Sequence, residues 1–202
     1  LKDFRIDCPP GFNFAYDVVD DIAVNDPDRR ALVWAHENGE SKTFTFADIK
    51  RLSDKTCNYL KAKGLKKGDF VILVMKHSYQ FWYLTVALHK MGIIVVPATY
   101  MLKPHDIKYR INSANIKAAF VTIQTDIADS FDATTDIPCL EHKFIIGGQR
   151  DGWEDFDTEM EKYSDEWERV PNKNTDKFLM YFTSGTSGNP KMAMHDYTYP
   201  LG

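Results

Sequence analysis

Apolar runs alternate with amphipathic segments along most of this chain. Residues 69–75 and 93–97 are nearly continuous apolar runs, whereas residues 45–64 and 104–114 repeat apolar side chains at helical spacing, and residues 79–91 are apolar on nearly every side of a helix. Strands that are apolar throughout are typical of a parallel sheet covered by helices on both faces. The pattern therefore predicts an α/β fold with a layered, parallel-sheet subdomain.

Residues at the ends of these segments predict where the helices begin and end. Thr45 is a candidate N-cap, with Asp48 three residues later near the positive end of the helix dipole. Gly64 and Gly92 follow helical runs, where a left-handed residue ends a helix. Pro104 begins the next helix, at a position where its missing N–H costs little.

The other segments complete the predicted order of elements. Residues 15–25 are predicted to be helical, and residues 31–36 and 42–46 to form a hairpin that turns at Asn38 and Gly39. Further strands are predicted at 117–122, 143–148 and 177–182. In the apolar helix, Trp82 and Tyr83 are predicted to be core residues.

Composition excludes several classes of function. The net charge of −4 gives no broad basic surface for nucleic acid, and no apolar run reaches the roughly 20 residues that span a bilayer. Cys8, Cys57 and Cys139 are widely spaced, which indicates free thiols in a reducing compartment. Since residues 1–14 lack the apolar core of a signal peptide, we expect a cytoplasmic protein.

An acidic stretch at residues 151–168 has two interpretations. A metal-binding cluster is one, and a solvated helix face with a few aromatic anchors is the other. The second is the commoner arrangement, so we assign no metal ligand from the sequence.

The segment YFTSGTSGNPK, residues 181–191, carries the strongest chemical signal. It offers hydroxyl side chains, two glycines that allow close backbone approach, and a terminal ammonium group, all of which suit phosphate oxygens. The candidate phosphate-binding residues are Thr183, Ser184, Gly185, Thr186, Ser187, Gly188 and Lys191. A Ser/Gly-rich hairpin turn with no ligand is the alternative interpretation.

The spacing disfavours the Walker-type phosphate loop. Lys191 lies three residues after Gly188 instead of next to it, and Met192 stands where a Ser or Thr would hold magnesium. The sequence KMAMH that follows predicts a return strand instead of the start of a helix.

The segment YFTSGTSGNPKMAMH resembles the phosphate-binding motif of the adenylate-forming (AMP-binding) enzymes, T-S-G-[ST]-[ST]-G-x-P-K. A second stretch, LHKMGIIVVPATY, is similar to an upstream family segment at Lys90, Gly92 and Pro97. Together with FNFAYDVVD, the motif looks closest to the medium-chain acyl-CoA synthetases. The resemblance covers nearly the whole chain and implies the N-terminal part of such an enzyme's large domain.

The resemblance implies a two-step reaction. A carboxylate attacks the α-phosphorus of ATP, and coenzyme A, the co-substrate, then displaces AMP to form a thioester. Thr183, Ser184 and Thr186 would contact phosphate oxygens, Gly185 and Gly188 would allow backbone approach, and Lys191 would be the catalytic cation. Mg²⁺ would bridge the phosphates, and the family's carboxylate ligand for it lies beyond this chain.

The resemblance also implies a division of the chain and a missing partner. We expect an irregular arm at 1–14, an α/β subdomain at 15–175, and the start of the nucleotide-binding segment at 176–202. The remaining large domain and the C-terminal domain of the same protein would be absent, so we expect the fragment alone to be inactive. Two alternatives stay open: a non-catalytic nucleotide-binding or interaction module, and an amino-acid adenylation domain feeding a carrier protein.

Overall fold

A seven-stranded, mostly parallel sheet organises the chain. The computed structural model describes residues 7–183, 188 and 190–201. Within them the strands are β1 Arg30–Ala35, β2 Ser41–Thr45, β3 Phe70–Val74, β4 Ile94–Pro97, β5 Ile116–Thr122, β6 His142–Ile146, β7 Glu154–Asp155, β8 Lys177–Thr183 and β9 Lys191–Asp196. The α-helices are α1 Asp21–Asn25, α2 Phe46–Ala62, α3 Gln80–Met91, α4 Pro104–Ala114, α5 Ile127–Asp132 and α6 Phe156–Met160. A π-helical segment, Ala15–Asp20, precedes α1, and a 3-10 turn spans Tyr199–Leu201.

The strand order of the large sheet is β7-β6-β5-β3-β4-β8-β9. All neighbours pair in parallel except β8 and β9, which are antiparallel. β1 and β2 form a separate antiparallel hairpin, as predicted, although residues 36–40 connect the strands instead of a two-residue turn. The predicted α/β class with a parallel sheet is confirmed.

Burial on both faces of the sheet explains the unbroken apolar strands. Leu73 faces one core, which includes Leu84 and Leu88 of α3, and Ile72 faces the other core, which includes Ile107 of α4. Neighbouring residues of a strand point to opposite faces of the sheet. When helices cover both faces, the side chains on both are buried, so apolar residues occupy every position of the strand.

Side chains at the N-terminus of α2 cap it as the sequence predicts. The Thr45 hydroxyl accepts a hydrogen bond from the Asp48 N–H at 3.2 Å, and the Asp48 carboxylate accepts one from the Thr45 N–H at 3.0 Å. This reciprocal pair satisfies two N–H groups that the helix leaves without partners. Gly64 after α2 and Gly92 after α3 adopt φ of +84° and +72°, the left-handed conformation expected of them.

One side of α3 was predicted wrongly. Tyr83 is a core residue at 2% exposure, but Trp82 is 55% exposed, with its ring edge-to-face against Phe81. The polar side chains of His89 and Lys90, in contrast, are buried. An all-round apolar composition does not reveal which face meets the sheet, because that face is set by how the helix packs between its neighbours.

The segment that leads into β8 is fastened to the N-terminal arm. The Asn174 side-chain oxygen accepts hydrogen bonds from the N–H groups of Gly11 and Phe12 at 2.8 and 3.2 Å. Arg169 pairs with Asp17 and donates to the Gly11 carbonyl at 2.9 Å. These contacts fix the entry of the chain into β8. None of the helices in the described ranges is long and apolar enough to cross a membrane.

Candidate functional site

The predicted phosphate motif occupies the connection of the β8–β9 hairpin. Thr183, the last residue of β8, pairs with Lys191, the first residue of β9, and Phe182 pairs with Met192. The Thr183 hydroxyl also lies 3.4 Å from the Lys191 carbonyl oxygen. Residues 184–190 therefore connect two paired strands, and Thr183 and Lys191 lie opposite each other at the base of the connection.

Ser184, Gly185, Thr186 and Ser187 lie outside the described residues. Thr183 and Lys191 are both exposed at the hairpin base.

Gly188 is exposed and adopts φ of +110°. No atom of residues 7–183 or 190–201 lies within 4 Å of the Cβ that another residue would carry there. Its positive φ therefore favours glycine at this position.

A strand, and not a helix, follows the connection. β9 runs from Lys191 to Asp196, which confirms the predicted return strand. In a Walker-type loop, the N-terminus of the next helix directs N–H groups and a dipole at the phosphates. The strand β9 begins at Lys191 instead, so the described residues after 190 offer no helix N-terminus of this kind.

The connection lies at the carboxyl edge of the parallel sheet. β8 runs parallel to β4, and β4 runs parallel to β3, so their carboxyl ends share one edge. The same edge carries a cleft of about 370 Å³ between the β1–β2 hairpin and the ends of β3 and β5, which Trp34, Lys42 and Lys76 help to line. Ligands of open α/β sheets bind outside the carboxyl ends of the strands. The motif therefore stands where this class of fold places ligands.

Alternation along β9 groups the polar and aromatic residues of the hairpin. Lys191 and His195 point to the same face of β9, together with Thr183 and Tyr181 of β8. The His195 ring lies 4.2 Å from the Tyr199 ring and 5.8 Å from the Tyr181 ring, measured between centroids. Burial raises the pKa of Tyr181, and the nearby Tyr199 raises it further, so this tyrosine is neutral near pH 7. Lys191 thus shares this face with Tyr181 and His195 at the base of the connection.

The sequence did not reveal the support that α4 gives to this hairpin. Tyr109 of α4 donates a hydrogen bond to the Pro190 carbonyl oxygen at 3.0 Å, and Arg110 lies over the Phe182 ring. The helical spacing of apolar residues at 104–114 indicated only the inner face of α4, whose buried residues are Ile107, Ile111 and Ala114. Tyr109 and Arg110 lie beside that face, and the sequence pattern does not predict their contacts, because these depend on the position of β8.

The chain is similar in sequence to known proteins. A family model described as "AMP-binding enzyme" matches residues 19–200. The human protein named acyl-coenzyme A synthetase ACSM3, mitochondrial, is 34% identical over 206 residues, which cover 98% of this chain and 35% of that protein. Acyl-coenzyme A synthetase ACSM4, mitochondrial, from Rattus norvegicus is 32% identical over 195 residues, which cover 93% of this chain and 33% of that protein. The chain thus spans about a third of the length of the curated relatives it matches.

Solved structures share the fold. The structure of an acyl-CoA synthetase from Brucella canis superposes with a TM-score of 0.84 at 20% identity, covering 98% of this chain and 35% of that one. The anthranilate CoA ligase AuaEII, solved with anthranoyl-AMP, superposes with a TM-score of 0.79 at 24% identity, covering 99% of this chain and 37% of that one. At these identities the superpositions establish the architecture alone.

Proposed function

Because the chain belongs to the AMP-binding enzyme family, we propose that it forms part of an ATP-dependent acid–thiol ligase, an acyl-CoA synthetase that releases AMP. The relatives at 32% and 34% identity carry the name acyl-coenzyme A synthetase. The observation that supports the proposal best is the pairing of Thr183 with Lys191, which brings both ends of the phosphate motif to one point at the carboxyl edge of the sheet.

The chemistry proceeds in two displacements. A carboxylate oxygen attacks the α-phosphorus of ATP, the bond from that phosphorus to the bridging oxygen breaks, and pyrophosphate leaves. The thiol sulfur of coenzyme A then attacks the acyl carbon of the acyl-adenylate, AMP leaves with the bonding electrons, and the thiol proton passes to a base. Negative charge accumulates on pyrophosphate in the first step, so fixed donors and cations at its oxygens lower that barrier.

The hairpin residues supply those donors in this proposal. Lys191 neutralises charge on the β- and γ-phosphate oxygens, and the Thr183 hydroxyl donates a hydrogen bond to one of them. The hydroxyls of Ser184, Thr186 and Ser187 and the N–H groups near Gly185 and Gly188 complete the set. Lysine suits this role because its ammonium is a compact charge on a long side chain that can follow the departing group.

We assign no magnesium ligand to this chain. Across residues 7–183, 188 and 190–201, no group of three His, Cys, Asp or Glu side chains could hold a metal ion. Bound magnesium would add positive charge to the triphosphate, and we assign this chain only the direct phosphate contacts.

The test is acid-dependent exchange of labelled pyrophosphate into ATP by the complete protein, followed by detection of the acyl-CoA product. We expect exchange only when a carboxylic acid is added, and a thioester once coenzyme A is present. No exchange with any acid would favour a non-catalytic nucleotide-binding module. Exchange with amino acids, followed by transfer to a carrier protein and not to coenzyme A, would favour the amino-acid adenylation alternative.

The cytoplasmic location expected from the sequence stays a prediction. The relatives are called mitochondrial in their names. Cys8, Cys57 and Cys139 are free thiols. Free thiols are compatible with a reducing compartment, whether the cytoplasm or the mitochondrial matrix. Fluorescence imaging of the tagged natural protein distinguishes the two.

A further inference from the structure

One helix contacts both ends of the phosphate-binding connection. Tyr109 of α4 donates its hydroxyl hydrogen to the Pro190 carbonyl oxygen at 3.0 Å, and Pro190 directly precedes Lys191. The Tyr109 ring also meets the Phe182 ring edge-on, at 6.1 Å between centroids, and Phe182 directly precedes Thr183. Pro190 and Phe182 therefore both contact the Tyr109 side chain.

Arg110 completes this support. Its guanidinium carbon lies 5.2 Å from the centre of the Phe182 ring, a cation–π distance. The guanidinium is held in place by the Asp106 carbonyl at 3.2 Å and by the Asp106 carboxylate at 3.5 Å. Phe182 is thus fixed by two consecutive residues of α4.

The helix that carries these side chains is itself firmly packed. Ile107 and Ile111 are fully buried in the core beneath it, and Pro104 sets its first turn. A donor on a well-packed helix loses little freedom when it bonds, because its backbone is already ordered.

The support from α4 adds to the backbone pairing of Thr183 with Lys191 at the hairpin base. The side-chain hydrogen bond described across it, from Thr183 to the Lys191 carbonyl, is 3.4 Å long and therefore weak. Pro190 has no N–H to donate, so its carbonyl is the only backbone group it can offer to a partner. The Tyr109 hydroxyl is the donor to that carbonyl.

We propose that Tyr109 is a positioning residue for the phosphate-binding connection, which it holds through the Pro190 carbonyl so that Lys191 emerges toward the phosphates in a fixed direction. The inference rests on the proposed function. It assigns Tyr109 no contact with ATP: the tyrosine acts through the backbone that carries Lys191. Small displacements of a group that binds the transition state lower the rate steeply, so this one hydroxyl affects catalysis more than its distance from the phosphates implies.

The test is the Tyr109→Phe variant of the complete protein, which keeps the ring against Phe182 and removes only the hydroxyl. Tyr197→Phe is a matched control, because the Tyr197 hydroxyl also donates to a backbone carbonyl, that of His89, at 2.8 Å, away from the connection. Both variants are measured for pyrophosphate exchange at varied ATP and varied acid, and for thermal unfolding.

We expect kcat/KM for ATP to fall about tenfold in Tyr109→Phe, equivalent to about 1.4 kcal/mol, while the KM for the acid is unchanged. Tyr197→Phe should keep the wild-type kcat/KM for ATP even if its unfolding temperature falls by as much as that of Tyr109→Phe. Equal kcat/KM for ATP in Tyr109→Phe and the wild type would overturn the positioning role. So would equal losses of kcat/KM in both variants, since they would indicate a general effect of lost stability. If the wild-type protein shows no acid-dependent exchange, the proposed function fails first, and that outcome is distinct.

Discussion

Lys90 and Asp54 form an ion pair that is closed to solvent. The Lys90 ammonium nitrogen lies 2.6 Å from Asp54 Oδ1, and the two side chains are 0% and 1% exposed. The same ammonium lies 2.7 Å from Asp20, and Lys50 contacts the other Asp54 oxygen at 2.5 Å. One buried charge therefore joins α3 to α2 and to the helical segment at the N-terminus.

Removing this buried ammonium should destabilise the protein strongly. In Lys90→Met, the buried Asp54 carboxylate would keep only Lys50 as a cationic partner, and Asp20 would lose its contact with Lys90. Breaking a buried ion pair in this way costs about 3–5 kcal/mol. Urea unfolding measures the free energy of unfolding directly. Lys108→Met, which breaks the exposed pair with Asp136, is the control and should leave that free energy nearly unchanged. Equal effects of the two substitutions would contradict a structural role for the buried cluster.

His89 should make stability depend on pH. Its ring packs at 4.1 Å from Phe178 and 4.6 Å from Tyr197, and burial lowers its pKa from 6.5 to about 3. The unfolded chain therefore binds this proton more readily than the native protein between these two values. The stability contributed by neutral His89 is complete above pH 6.5 and is lost as the pH falls toward 3.

His89→Phe keeps a ring in this position and removes the titrating group. Between the two pKa values of His89, the free energy of unfolding should depend less steeply on pH in this variant, by up to about 1.4 kcal/mol per pH unit. Urea unfolding at a series of pH values measures the slope. His105→Asn changes an exposed histidine and should keep the wild-type slope. A wild-type slope in His89→Phe would show that this histidine is not the acid-sensitive group.

Two glycines that end helices offer a matched comparison. Gly64 and Gly92 both have positive φ, but only at Gly92 would a Cβ meet another residue, at 2.8 Å from Lys67 Cγ. The Lys67 ammonium is held by the Pro171 carbonyl at 2.9 Å and the Asp176 carboxylate at 2.7 Å, and a shift of the side chain would disturb both contacts.

Gly64→Ala should therefore cost only the left-handed strain, about 1–2 kcal/mol, and Gly92→Ala should cost more. Thermal or urea unfolding of the two variants measures the difference. A smaller loss in Gly92→Ala than in Gly64→Ala would show that Lys67 moves aside freely.

The sequence predicts the layered α/β architecture because its signals are local. Helical spacing, the Thr45 cap and the glycines after α2 and α3 each act within a few residues, and all of them agree with the structure. The return strand after Lys191 follows from the same kind of local pattern. The short elements α5 and β7 were missed because so few residues carry too little periodicity to detect.

Long-range contacts explain the remaining differences. In the sequence, Lys90 was only one residue of a segment similar to the family. Its burial depends on ion pairs with Asp54 and Asp20, which lie 36 and 70 positions away. No local pattern around Lys90 predicts these partners. The Tyr109 contact with Pro190 likewise spans 81 positions. Such pairs become visible only when strand order brings the two segments together.

The most direct test of the central claim compares Lys191→Ala with Lys177→Ala in the complete protein. Lys177 is an exposed lysine at the opposite end of β8, so it controls for loss of surface charge. If Lys191 stabilises the departing pyrophosphate, the turnover number of acid-dependent pyrophosphate exchange should fall about 10²–10³-fold in Lys191→Ala and stay at the wild-type value in Lys177→Ala. Equal exchange rates in Lys191→Ala and the wild type would contradict the assignment of the β8–β9 connection as the phosphate-binding site.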